Sequence, residues 1–234
     1  MKIGILQADS VREEFQAEFG DYPDMFMQLF KDASNAPLTF EIYDIIANQL
    51  PKNIDDCDAY LITGSRFSVY EDLDWIHRLR DFVVELDAAR KKLIGICFGH
   101  QLIALALGGK AELAQVGWGV GVHTSAVTKT ASFMEPKLSQ FTALVSHQDQ
   151  VTELPEGAKC LASSDFCPFS MIQIGSHILT FQGHPEFHRD YSKALIEMRQ
   201  DILGDRISTE GLESLSKKTN EDILAQWIMT FCAL

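Results

Sequence analysis

Short apolar runs alternate with stretches of helical periodicity through the first half of the chain, and this alternation constrains the fold more than any other feature. The runs are 2–8, 39–45, Ala59-Tyr60-Leu61-Ile62-Thr63 and Lys92-Leu93-Ile94-Gly95-Ile96, each the length of one buried strand. Between them, Pro23-Asp24-Met25-Phe26-Met27-Gln28-Leu29-Phe30 opens with a proline suited to a first helical turn. From Leu73 to Arg90, Ile76, Leu79, Phe82, Val83 and Leu86 recur at spacings of three and four, the stripe of an amphipathic helix. Acidic residues at its start and Arg90-Lys91-Lys92 at its end suit the helix dipole. A further apolar helix is expected after Cys97, to Leu107. Strand and helix alternating in this way predict an α/β fold: a mostly parallel, flavodoxin-like central sheet flanked by helices.

After Gly108-Gly109 the pattern changes. Residues 117–128, 141–153, 158–163 and 169–182 read as strands, punctuated by Pro155-Glu156-Gly157 and Gly175-Ser176. From Asp190 onward the chain returns to helix, ending in Asp222-Ile223-Leu224-Ala225-Gln226-Trp227-Ile228-Met229. With no repeat, linker or low-complexity segment, residues 1–234 are expected to form a single domain with a β-rich second half.

Composition excludes several classes. The 33 acidic and 20 basic side chains give a net charge of −13, which disfavours binding to nucleic acid or anionic lipid. No apolar run approaches the ~20 residues of a membrane span. Met1-Lys2-Ile3-Gly4-Ile5-Leu6-Gln7-Ala8-Asp9 turns polar too early for a signal peptide. The five cysteines, 57, 97, 160, 167 and 232, are an odd set without a C-x-x-C pair, so a reduced, cytoplasmic protein is expected, without disulfides or a zinc site.

One cysteine stands in a special context. Gly95-Ile96-Cys97-Phe98-Gly99 places it between a buried strand and a helix, as the thiol form of a nucleophile elbow. Such a turn needs glycines for close backbone approach. It also sets the sulfur at the positive end of a helix, where thiolate is favoured. Read alone, the segment also fits a structural cysteine in a tight turn. A thiolate nucleophile needs a proton-transfer partner held by a third group. Gly183-His184-Pro185-Glu186 offers both, because residues two apart in extended chain share a face and Pro185 prevents helix. The same proline argues against reading His184, Glu186 and His188 as a zinc helix. Gly108-Gly109-Lys110 lacks the spacing of a P-loop.

The order Cys97, His184, Glu186 resembles the class I glutamine amidotransferase family, and the likeness runs through nearly the whole chain. Cys97-Phe98-Gly99-His100-Gln101 resembles the family's nucleophile segment, which implies that Gln101 binds the amino-acid end of the substrate. Val145-Ser146-His147-Gln148-Asp149 is similar to its second glutamine-binding loop, implicating Ser146, His147, Gln148 and Asp149. Phe181-Gln182-Gly183-His184-Pro185-Glu186 matches the segment with the catalytic His and Glu. Within the family the likeness is to stand-alone members related to the glutaminase domain of GMP synthase, and to plant-type γ-glutamyl peptidases. The resemblance implies a Cys97–His184–Glu186 triad and an oxyanion hole from the N–H groups of Phe98 and Ser65, with Gly64 shaping the turn.

One departure concerns that hole. Where the family usually carries Gly-Gly-Pro, this chain has Gly64-Ser65-Arg66. A backbone donor does not depend on its side chain, but Ser65 and Arg66 are placed to narrow the pocket or to touch a larger γ-glutamyl group. The implied reaction is hydrolysis of the γ-amide of glutamine through a thioester, without cofactor or metal. A γ-glutamyl peptidase acting on peptides or amines is the alternative, and an inactive binding module a second one. A glutaminase of this length has no synthetase domain, so a separate ammonia-accepting partner is one expectation.

Overall fold

Lys2–Gln7 forms β1, buried at its four inner positions, as a strand covered by helices on both faces must be. The computed structural model describes residues 1–234. After β1 come the short helix α1 (Glu13–Phe19) and α2 (Tyr22–Ala33). Asp21 caps α2 by accepting from the Tyr22 N–H, while Asp24 accepts from the Asp21 N–H. Then follow β2 (Thr39–Asp44), β3 (Ala59–Ile62), α3 (Asp74–Ala88), β4 (Lys92–Ile96) and α4 (Phe98–Ala106). The strand-rich part comprises β5 (Lys110–Leu113), β6 (Gly119–Val127), β7 (Gln140–His147), β8 (Asp149–Glu153), β9 (Lys159–Ser163), β10 (Met171–Ile174) and β11 (Ile178–Phe181). Three helices close the chain: α5 (Arg189–Met198), α6 (Gln200–Ser214) and α7 (Glu221–Ala233).

Nine strands form one sheet in the order β2-β1-β3-β4-β11-β10-β9-β6-β7, and β5 pairs with β8 in a separate ribbon. The first five are mutually parallel. Following the pairings outward, only β10 and β6 run against the others. The fold is therefore α/β with a large, mostly parallel sheet between helices.

Side-chain alternation along the central strands builds a core on each face. Tyr60, Ile62 and Leu93 point toward α3 and α4, where Trp75, Ile76, Leu79, Phe82 and Leu102 cover them. Leu61, Ile94 and Ile96 point the other way, toward Phe26 and Phe30 of α2 and Trp227, Ile228 and Phe231 of α7. Helices α5 and α6 cover the antiparallel end of the sheet.

Some expected elements divide. The run 141–153 breaks after His147, and its two parts join different sheets. The run 169–182 is a hairpin turning at Gly175, whose φ of 56° suits glycine. The helical tail kinks at Gly204, with φ 74° and ψ 162°. Helix α1 and strand β5 were not expected: α1 has only seven residues, with Phe15 and Phe19 half-buried, and β5 only four, so both are too short to stand out. No helix is long and apolar enough to cross a membrane.

Parallel pairing brings the chain's chemistry to one edge. Register matches Leu6 with Ile62, Ile62 with Gly95, and Phe181 with Ile96. The residues just past β1, β3, β4 and β11 (Ala8-Asp9, Thr63–Arg66, Cys97 and Gln182–Glu186) therefore emerge side by side at the carboxyl ends of the strands. Open α/β sheets bind ligands in that place.

Candidate active site

Cys97 sits between β4 and α4 with φ 51° and ψ −99°, a backbone conformation that side chains other than glycine rarely adopt. Its neighbours show why the turn is possible. A β-carbon on Gly95 would lie 2.7 Å from the Gly99 backbone, and one on Gly99 would lie 2.5 Å from the Ile62 carbonyl oxygen. The turn is anchored by the Cys97 N–H, which donates to the Phe181 carbonyl at 2.8 Å. Gln182 Nε2 donates to the sulfur at 3.6 Å.

His184 continues the line of β11 and pairs with β7, its N–H donating to the Leu144 carbonyl at 2.8 Å. Its Nδ1–H donates to Glu186 Oε1 at 2.7 Å, and both side chains are buried. Phe187 stacks flat on the imidazole with ring centres 3.8 Å apart. Burial alone would lower the pKa of His184. Glu186 and Cys97, through charge and hydrogen bonding, outweigh burial and push it up to about 10. Gly64 faces this pair: a β-carbon there would lie 2.8 Å from His184 Cε1 and 3.7 Å from Cys97 Cβ. Beside it, the Ser65 N–H donates to no protein group, and the Phe98 N–H belongs to the first turn of α4, where amides lack helical acceptors. The Ser65 hydroxyl is turned to the scaffold, donating to the Ala8 carbonyl at 3.0 Å.

A cavity of about 150 Å³ opens over Cys97, small beside the roughly 300–1,000 Å³ of drug-sized sites and suited to a compact ligand. Gln101, Ser146, His147, Gln148 and Asp149 all line it, although most carry internal bonds as well. Gln101 Nε2 donates to the Asp149 carbonyl at 2.8 Å and to Gln182 Oε1 at 3.1 Å, leaving its own oxygen unspent. His147 Nδ1–H donates to the Asp149 carbonyl at 3.0 Å, and burial pushes this ring down to about 3, so it stays neutral. The Asp149 carboxylate accepts from Ser68 Oγ at 2.5 Å and from Tyr70 Oη at 3.1 Å.

Arg199 and Asp9 carried no local signal in the sequence, whereas Arg66 stood out there as a departure from the family's pattern. Arg199, at the end of α5, donates to Ser146 Oγ at 2.7 Å and lies 5.6 Å over the Trp118 ring. Arg66 is held by Asp9, a carboxylate only 3% exposed, through Nε at 3.0 and 3.1 Å and Nη2 at 2.6 Å. Its backbone N–H also donates to Asp9, at 2.9 Å. No group of three or more His, Cys, Asp or Glu side chains is placed to hold a metal ion.

Comparison with known proteins places this chain in a family. The profile of "Glutamine amidotransferase class-I" matches residues 31–199. γ-Glutamyl peptidase 4 of Arabidopsis thaliana is 34% identical over 210 residues, covering 87% of this chain and 81% of that protein. A glutamine-hydrolysing GMP synthase of Bacteroides fragilis is 30% identical over 162 residues, covering 67% of this chain but only 31% of the synthase. Among solved structures, a glutamine amidotransferase from Thermotoga maritima superposes with a TM-score of 0.74 at 17% identity, covering 100% of this chain and 96% of that one. The chain belongs to the class I glutamine amidotransferase family.

Proposed function

We propose that residues 1–234 form one amidohydrolase domain that cleaves γ-glutamyl amides through a thioester on Cys97. The observation that carries this reading is the meeting of Cys97 and His184 against Gly64, beside the amides of Phe98 and Ser65. The Cys97 thiolate attacks the γ-carbonyl carbon, forming the S–C bond. The N–H groups of Phe98 and Ser65 stabilise the oxyanion, where one such donor is worth about 10²–10³ in rate. His184, charged and oriented by Glu186, gives its proton to the departing nitrogen as the C–N bond breaks. It then takes a proton from the water that attacks the thioester, releasing glutamate and restoring the thiolate–imidazolium pair. Gln101, Ser146, Gln148 and Asp149 hold the amino-acid end of the substrate, with neutral His147 supporting their loop.

Two leaving groups fit this chemistry. With glutamine the product is ammonia, and a separate synthetase would consume it, a reading supported by the relationship to part of a GMP synthase. With γ-glutamyl peptides or amines the chain acts alone, as the relationship to γ-glutamyl peptidases supports. The test treats wild-type protein and Cys97→Ala with a glutamine-analogue electrophile, and assays glutamine and γ-glutamyl peptides with each. Labelling at residue 97 and turnover in wild type alone are expected. Normal turnover by Cys97→Ala, or a wild type inert to the electrophile and to every γ-glutamyl compound, overturns the reading.

A further inference from the structure

The cavity over Cys97 contains more cationic charge than glutamine requires. Its charged lining residues are Arg66, Arg199 and Asp149, and the Asp149 carboxylate already accepts from two hydroxyls. Arg199 has no carboxylate partner; it bonds to the Ser146 hydroxyl and lies over Trp118. It stands where the substrate's α-carboxylate is expected, beside the loop that holds the amino-acid end. Glutamine has one carboxylate, and Arg199 answers it. Arg66 is left over.

Arg66 has the form of a prepared anion receptor. A guanidinium has five N–H donors. Asp9 occupies the Nε–H and one Nη2–H, which fixes the plane of the group, while Nη1 bonds to no protein atom. The two ends of the pair differ sharply in exposure: Asp9 is 3% exposed and the Arg66 side chain 53%. A side chain held in this way loses little freedom on binding, and its remaining donors match a carboxylate in fork geometry. In a chain of net charge −13, such a cation in the reactive cavity is also a local reversal of sign.

Its position indicates which part of a substrate it meets. Gly64 faces His184, the group that protonates the departing nitrogen, with no room for a β-carbon between them, and Arg66 lies two residues further on, within about 7 Å along the chain. The amino-acid end lies across the cavity at Gln101 and Ser146. A carboxylate on the α-carbon of a leaving amino acid is two bonds from the scissile nitrogen, on the Arg66 side.

We propose that Arg66, positioned by Asp9, binds a carboxylate carried by the leaving amine, so that the preferred substrates are γ-glutamyl amino acids or peptides ending close to the scissile bond, rather than glutamine or neutral γ-glutamyl amines. This rests on the γ-glutamyl hydrolase reading above. One water is consumed and no redox step is involved: the C–N bond is replaced by a C–S bond and then by a C–O bond, and the amine leaves with the proton from His184.

The test compares γ-glutamylalanine with γ-glutamylalaninamide, which differ at the leaving group's carboxylate. Wild-type kcat/KM should favour the acid by about tenfold or more, the scale of a hydrogen bond to a charged group. Arg66→Gln should bring that ratio near one, Arg66→Lys should keep part of it, and Asp9→Asn should reduce it by releasing the guanidinium. Arg199→Gln should weaken both compounds alike and keep the ratio. Affinities measured by calorimetry on Cys97→Ala should follow the same order. A wild-type ratio near one, which needs no variant, overturns the proposal, as does a ratio unchanged in a folded Arg66→Gln. Turnover of both compounds at equal rates removes the role of Arg66 alone. Failure of wild type to turn over either, with no binding to Cys97→Ala, removes the hydrolase reading and this proposal together.

Discussion

His184 and Glu186 lie on one side of a strand-like segment, with Pro185 between them, and their side chains meet at 2.7 Å in a buried environment. The pair is local in sequence, yet it has full effect only because β11 delivers it beside β4 and Cys97. Burial opposes a charged imidazole, and interaction with Glu186 and Cys97 overcomes that opposition.

The first prediction concerns pH. In the proposed reaction a protonated His184 serves the leaving nitrogen, so activity should be lost as pH rises through about 10, its raised pKa. Glu186→Gln removes a carboxylate that holds the pKa up. The alkaline limb of kcat/KM should then move to lower pH by a unit or more, with a loss of about 10²-fold or more at pH 8. A pH–rate profile of both proteins checks this, and an unmoved limb would contradict the assignment.

Backbone strain at Cys97 gives the second. With φ at 51°, a β-carbon at this position costs about 1–3 kcal/mol, which glycine avoids. Cys97→Gly and Cys97→Ala should both be inactive, but the glycine variant should be the more stable by roughly 1 kcal/mol, a few degrees in Tm. Glycine is also the better of the two at a helix N-cap, which is the place of residue 97, and calorimetric melting of the two variants measures the difference.

Gly64 gives the third. A methyl group there would sit 2.8 Å from His184 Cε1, so the imidazole must move, while the backbone of Gly64 is not in the left-handed region. Gly64→Ala should therefore lower kcat/KM by about 10²-fold, since small misplacement of a catalytic group is costly, and leave the fold intact. Activity loss with an unchanged circular dichroism spectrum is the expected pattern.

The fourth concerns stability in acid. His100 and His147 are buried, and burial pushes each down to about 3, below the 6.5 of an exposed imidazole. Between those values the unfolded chain binds protons that the folded chain does not, so stability rises with pH and falls as pH drops below about 6.5. Each contributes about 1.4 kcal/mol per pH unit. His184 is shifted the other way, and its contribution is fully present below 6.5, so it adds no slope there. Urea unfolding at pH 7, 6 and 5 should show the loss, and His100→Asn should reduce its slope.

Much of the fold was legible because its determinants are local. The apolar runs at Lys92–Ile96 and Ala59–Ile62 had to be strands buried on both faces, and the stripe from Ile76 to Leu86 had to face a sheet. The elbow was legible for the same reason, since Gly95 and Gly99 flank Cys97 and each is forced by a contact that a β-carbon would break. The break between β7 and β8 was not legible. Both halves favour strand, and which sheet each joins depends on partners far away in sequence.

The sequence by itself determined the alternation of strand and helix, the tight turn at Cys97 and the His184–Glu186 pairing, because these depend on steric and periodic rules acting over a few residues. Only the tertiary structure decided that Asp9 clamps Arg66 across 57 positions and that Arg199 reaches Ser146 across 53. Charge complementarity has no period and no fixed spacing, so such pairs become visible only when the parallel sheet and α5 bring their backbones together.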